Sequence, residues 1–217
     1  NFQTLSEKLC FLNWQGQSSC NFNNLTVSAS TDKSLQKENN VIDELPNPDT
    51  LRLMGPTKRQ VHKSMFQQSP LITPQFVYLA QESLDLVTKQ IRGLVLHNLK
   101  AIEDSFHVGE QLIFAHLPNL ERICKSGFEF CQSLRRLYSN KLTQIGENTF
   151  YGCVSLTEIS SQKILVIQKL SFAYCQSLVD VDLTCAISIK NDAFCHCLAL
   201  KQLRCRDIKE VSDQTFN

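Results

Sequence analysis

The chain has 217 residues, 42% of them hydrophobic, and a net charge of +1 from 22 basic and 21 acidic side chains. That is enough for one large or two small domains with a core, and with no run of like charge and no basic stripe a nucleic-acid partner is not expected. No apolar stretch reaches the roughly 18 residues that a membrane-spanning helix needs. Taken in chain order, residues 1–40 read as an irregular N-terminal cap or extension. Asn1 stands where Met would open an unprocessed chain, so a fragment or a removed leader stays open. Of the ten cysteines, Cys10 and Cys20 form the isolated local pair that reads as a bridge. Asn24-Leu25-Thr26 is a glycosylation sequon, a pattern short enough to arise by chance. Leu25 to Ala29 alternates like a strand, and Ser30 to Asn40 is polar enough for a loop. Residues 41–90 read as degenerate repeats: Leu51-x-Leu53 as a strand, and Val61 and Phe66 with the five-residue spacing of Ile145 and Phe150.

Regular repeats run over 91–217. Phe128, Phe150, Phe172, Phe194 and Phe216 stand 22 residues apart. Cys131, Cys153, Cys175 and Cys197 follow each by three, and Leu134, Leu156, Leu178 and Leu200 by three more. The segment from Ile91 to Phe106 fits the same template with one residue deleted and Gly109 in the Cys position. A fixed period of this size marks a solenoid, in which each unit buries its apolar face against its neighbours. The Leu-x-x-Ile-x part of each unit predicts a short strand, and the Ile-x-x-x-x-Phe-x-x-Cys part a turn with about one helical turn. Parallel strands of successive coils lie about 4.8 Å apart, so equal positions form columns. Phe216 ends the pattern with no polar cap, so either the chain is cut there or another surface covers that end.

The closest local units are Leu142-x-x-Ile145-Gly146, Phe150-x-x-Cys153 and Ala193-Phe194-x-x-Cys197. This grammar resembles the leucine-rich repeat proteins of the BspA-like (Treponema pallidum type) class. Their unit of about 23 residues reads Leu-x-x-Ile-x-Leu-Pro, Val-x-x-Ile-Gly, Ala-Phe-x-x-Cys. Here each regular unit is one residue shorter, the Pro is missing, and Gly stands in its place once, at Gly146. The resemblance implies an α/β repeat: a right-handed leucine-rich-repeat solenoid with short parallel strands on the concave face, and turns and short helices on the convex face. Members of the family are surface adhesins or intracellular scaffolds, so it implies protein binding and not catalysis.

No nucleophile elbow, phosphate-binding loop, dinucleotide fingerprint or His-Glu-x-x-His motif occurs. No catalytic residue, cofactor or metal is therefore expected. Cys185, Cys195, His196, Cys197 and Cys205 are the one metal-like cluster. A closed zinc site needs four converging ligands, and these residues fall on opposite sides of a coil. The ladder cysteines read as small buried hydrophobes, and reduced thiols favour an intracellular compartment. The candidate contact residues flank the second apolar position of each unit: Arg136 and Tyr138, Glu158 and Ser160, Asp180 and Asp182, Gln202 and Arg204. They run basic, acidic, basic, with Tyr138 the expected anchor, since aromatics and Arg dominate interface hot spots. The expected function is a non-enzymatic interaction module or scaffold for another protein, as part of a larger assembly. The alternative is a secreted or cell-surface adhesin binding a host or surface ligand.

Overall fold

A computed structural model of the chain describes residues 26–28, 45–46, 48–79, 90–103, 109–161, 163–212 and 214–216. Cys10, Cys20, Asn24 and the polar segment Ser30 to Asn40 lie outside them. Strand β1 (Thr26–Ser28) comes first, then helices α1 (Pro48–Leu53) and α2 (Lys58–Gln67). Strands β2 (Leu71–Thr73) and β3 (Phe76–Leu79) form an antiparallel hairpin. Each following coil supplies one longer and one two-residue strand. They are β4 (Gly93–Leu96) and β5 (Ala101–Ile102), β6 (Phe114–His116) and β7 (Arg122–Ile123), β8 (Arg136–Tyr138) and β9 (Gln144–Ile145). Next are β10 (Glu158–Ser160) and β11 (Val166–Ile167), β12 (Asp180–Leu183) and β13 (Ser188–Ile189), β14 (Gln202–Cys205) and β15 (Glu210–Val211).

Coils pair in parallel and in register. Phe76 lies opposite Gly93, Gly93 opposite Phe114, Phe114 opposite Arg136 and Arg136 opposite Glu158. The steps are therefore 17, then 21, then 22 residues, the 21 matching the expected deletion. The strand pattern Leu25 to Ala29 is strand β1, but it lies at the far end of the stack, parallel to β14 with Thr26 opposite Gln202. Between β10 and β12 the strand column divides into two sheets. Continued register would there set Glu158 beside Asp180, and like charges directly opposite destabilise a ladder.

Two features differ from expectation. The two-residue strands form a second parallel sheet, β5 through β15, burying the column Ile102, Ile123, Ile145, Ile167, Ile189 and Val211. The remaining side of the coils is made of the expected turns, with one short 3-10 helix among the described residues, Gly109–Gln111, and from residue 124 on it is a chain of tight turns. In it, amides bonded three residues back alternate with amides bonded to the next coil: Tyr151 N to Asn148 O at 3.1 Å, then Gly152 N to Ala173 O at 2.9 Å. Of the inter-coil donors, Ser126, Phe130, Asn148, Gly152, Leu170, Tyr174 and Asp192 have positive φ, whereas Phe128, Phe150, Phe172 and Phe194, which stand between them, do not. A helix would spend every amide inside its own coil; the left-handed residues break the helical course on either side of each Phe, so that alternate amides face the neighbour. Each costs a non-Gly residue about 1–2 kcal/mol, which the bond to the next coil offsets.

The core is the expected column. Successive Phe rings from Phe128 to Phe216 stack at centroid distances of 5.7, 5.3, 5.2 and 5.9 Å. Cys153, Cys175 and Cys197 donate their thiols to the carbonyls of Phe128, Phe150 and Phe172 at 3.0–3.2 Å. The ladder cysteines are thus both small hydrophobes and weak donors to the preceding coil. The eight described cysteines are free thiols.

Residues 45–79 do not form degenerate repeats up to β3. Leu51 and Leu53 lie in α1, and Val61 and Phe66 in α2. Pro48 opens α1, where its missing N–H costs nothing. Thr57 and Gln60 close a reciprocal capping box on α2, Gln60 N donating to Thr57 Oγ1 at 3.2 Å and Thr57 N to Gln60 Oε1 at 2.8 Å. The helices bury Leu51, Met54 and Val61 against Phe76, Tyr78, Val95 and Phe114, a second core separate from that of the coils.

Candidate interaction surface on the strand face

The longer strands present two outward columns. One holds Phe76, Gly93, Phe114, Arg136 and Glu158, then Asp180 and Gln202. The other holds Tyr78, Val95, His116, Tyr138 and Ser160, then Asp182 and Arg204. All eight sequence-predicted contact residues thus stand in these columns, but they do not form one uniform exposed face.

The columns change character at β8. Upstream they are apolar apart from His116, and α1 and α2 cover part of them. The approach is close: a Cβ on Gly93 would lie 2.6 Å from the Phe114 ring and 2.7 Å from Met54 Sδ. Tyr138 is buried too, outside the helix-packed cluster. It is 3% exposed, its ring lying flat against His116 at 4.7 Å between centroids. It is therefore not the exposed anchor the sequence suggested. His116 is 1% exposed, and burial, with the nearby His97, lowers its pKa to about 4. The covered region has a sequence signal: Gly93–Leu96 and Phe114–His116 bury every residue, whereas a strand wet on one side alternates, as β12 and β14 do.

Downstream, polar side chains line the face and pair along the stack. Arg136 meets Glu158 at 2.9 Å, and Arg204 meets Asp180. Asp182 accepts from Thr184 N at 3.0 Å and from the Thr184 hydroxyl. These ionic side chains are 35–49% exposed, so each pair stabilises by about 0–1 kcal/mol. The arginines sit at the outer coils, and Glu158, Asp180 and Asp182 border the break in the sheet. The face there is an acidic seam between two basic ends.

Cys197 and Cys205 are buried, and Cys195 and His196 are partly exposed on the turn side. Among the described residues, no group of three or more His, Cys, Asp or Glu side chains converges to hold a metal ion. Among them too, no helix is long and apolar enough to cross a membrane.

A family model for the BspA type leucine-rich repeat region matches residues 100–217, with six copies. Among solved structures, the chain is similar to a leucine rich cell surface protein from Faecalibacterium prausnitzii A2-165. That likeness has 22% identity and a TM-score of 0.38, over 51% of this chain and 35% of that one. It is also similar to a leucine-rich repeat protein from Bacteroides ovatus ATCC 8483, with 20% identity and a TM-score of 0.36, over 63% of this chain and 48% of that one. The match thus spans less than half the length of either protein. No curated protein matches the sequence.

Proposed function

Because the chain belongs to the BspA-type leucine-rich repeat family, we propose that it is a non-enzymatic protein-interaction module whose partner docks on the polar half of the strand face, over β8 to β14. The observation that carries this reading is the division of that face. Its apolar half is covered by the chain's own helices, while Arg136, Glu158, Asp180, Asp182, Gln202 and Arg204 remain on rigid, registered strands. Repeat solenoids use extended surfaces of this kind to bind partners.

The seam sets the partner's chemistry. A basic group seated over Glu158, Asp180 and Asp182, with acidic groups toward Arg136 and Arg204, complements the face and gains specificity from it. Residues 91–217 are the binding unit in this reading, and residues 45–79 are a cover that fixes where the free surface begins. The test is capture from extracts of the native source with wild-type protein and with Asp180→Lys/Asp182→Lys, followed by mass spectrometry. The double reversal should weaken capture of the specific partner at least tenfold while lowering the melting temperature by only a few degrees, because it breaks the partly exposed Asp180–Arg204 pair and the Thr184 bonds to Asp182 but leaves the core intact. A partner captured equally by both proteins would refute docking at this seam.

A further inference from the structure

A groove of about 320 Å³ opens on the flank of the strand face, at the residues that enter the strands of the first coils. One row along it is Gln75, Arg92, Ile113 and Arg135. These occupy successive rungs: Arg92 N donates to Gln75 O at 2.8 Å, Ile113 N to Arg92 O at 2.7 Å and Arg135 N to Ile113 O at 2.8 Å. The other row, Gln111, Ser133 and Ser155, repeats at the 22-residue step two positions earlier in each coil. The lining is polar except for Ile113 and includes no acidic side chain.

Its arginines differ from others in the coils. Arg122, Arg136, Arg204 and Arg206 each meet a carboxylate. Arg92 and Arg135 have no ion pair or side-chain hydrogen bond among the described residues. Two rungs place their Cα atoms about 10 Å apart, so two long side chains can meet above Ile113. Two guanidinium groups with no carboxylate partner among the described residues, at one recess, raise the local anion concentration. Each offers a planar fork that matches the oxygens of phosphate or sulfate.

We propose that this groove is an oxyanion site, in which Arg92 and Arg135 grip a phosphate or sulfate group. Ser133, Ser155, Gln75 and Gln111 hydrogen-bond its remaining oxygens or the hydroxyl-bearing body that carries it. The volume is at the small end for ligand pockets, and the polar lining disfavours an apolar guest. This surface is separate from the acidic seam, and binding here does not depend on docking there.

The test is calorimetric titration of the full chain at low ionic strength with inorganic phosphate, inorganic sulfate, glucose 6-phosphate and glucose. Saturable binding of an anion is expected. Arg92→Gln and Arg135→Gln should each weaken it about tenfold, and the double variant should abolish it with the melting temperature preserved. Lys209→Gln, on another side of the coil, and Asp180→Lys/Asp182→Lys should leave it intact. Tighter binding of glucose 6-phosphate than of phosphate, lost in Ser155→Ala, identifies a sugar ester; equal binding identifies the free ion, and both uphold the site. Glucose binding without anion binding, no saturable binding at all, or binding that survives the double arginine variant would overturn it.

Discussion

His116 carries a pH dependence that can be worked out from its surroundings. Its imidazole lies buried against the stacked Tyr138 ring, and burial, with the charge of His97 as a smaller influence, disfavours its charged form. The folded-state pKa falls from 6.5 to about 4, so above pH 6.5 both states are neutral there and nothing is lost. As pH falls, the unfolded chain takes up the proton first, and stability declines toward pH 4 by about 3 kcal/mol. Urea midpoints measured from pH 7.5 to 4.5 should show this slope, and His116→Phe, which keeps a ring against Tyr138, should flatten it. An equal slope in the variant would assign the acid sensitivity elsewhere. The ladder thiols lie at the other extreme. Burial raises Cys131 to about 12 and Cys153 and Cys175 well above 9.0, so at neutral pH they stay protonated donors and poor nucleophiles. Their inward placement was legible from spacing alone. The burial of Tyr138 was not, because a polar-tipped aromatic at an outward strand position reads as an anchor until the residues above it are known.

At the level of the repeat, the Phe column is the unit of stability. Phe172 is fully buried and stacks on Phe150 and Phe194, so Phe172→Ala removes a ring shared by three coils. A loss of about 3–5 kcal/mol is expected in chemical denaturation. A loss below about 1 kcal/mol would mean the column does not bear on folding. The period alone located this column, since only a stack brings residues 22 apart into contact. It foretold turns on the other side but not their left-handed residues. Left-handed residues such as Leu170 and Tyr174 carry no Gly or Asn signal, because inter-coil hydrogen bonds and not residue preference impose their conformation. The second sheet was hidden for a related reason: its strands are two residues long, too short to show alternation.

Across the molecule, the coils and the helical cover are two cores sharing one sheet. Val61 is fully buried beneath α2, so Val61→Asp sets an unpaired carboxylate against Phe76 and Tyr78. The variant should lose more than about 2 kcal/mol and bind a hydrophobic dye as the covered half of the strand face opens. A change within about 0.5 kcal/mol, without dye binding, would show that α2 is not held there. The cover was partly legible: Pro48 and the Thr57-x-x-Gln60 pattern are helix-start signals. The spacing of Val61 and Phe66 mimicked the repeat and masked them.

Identical steps carry a hazard of their own. Where each rung matches the next, a nascent turn can dock one floor too high or too low and still bury the same rings and meet the same carbonyls. Such translational near-degeneracy is what specificity devices break. The shorter steps, 17 residues from Phe76 to Gly93 and 21 from Gly93 to Phe114, differ from the 22 of the later coils. They give the winding a single starting point from which the later, interchangeable floors can be counted.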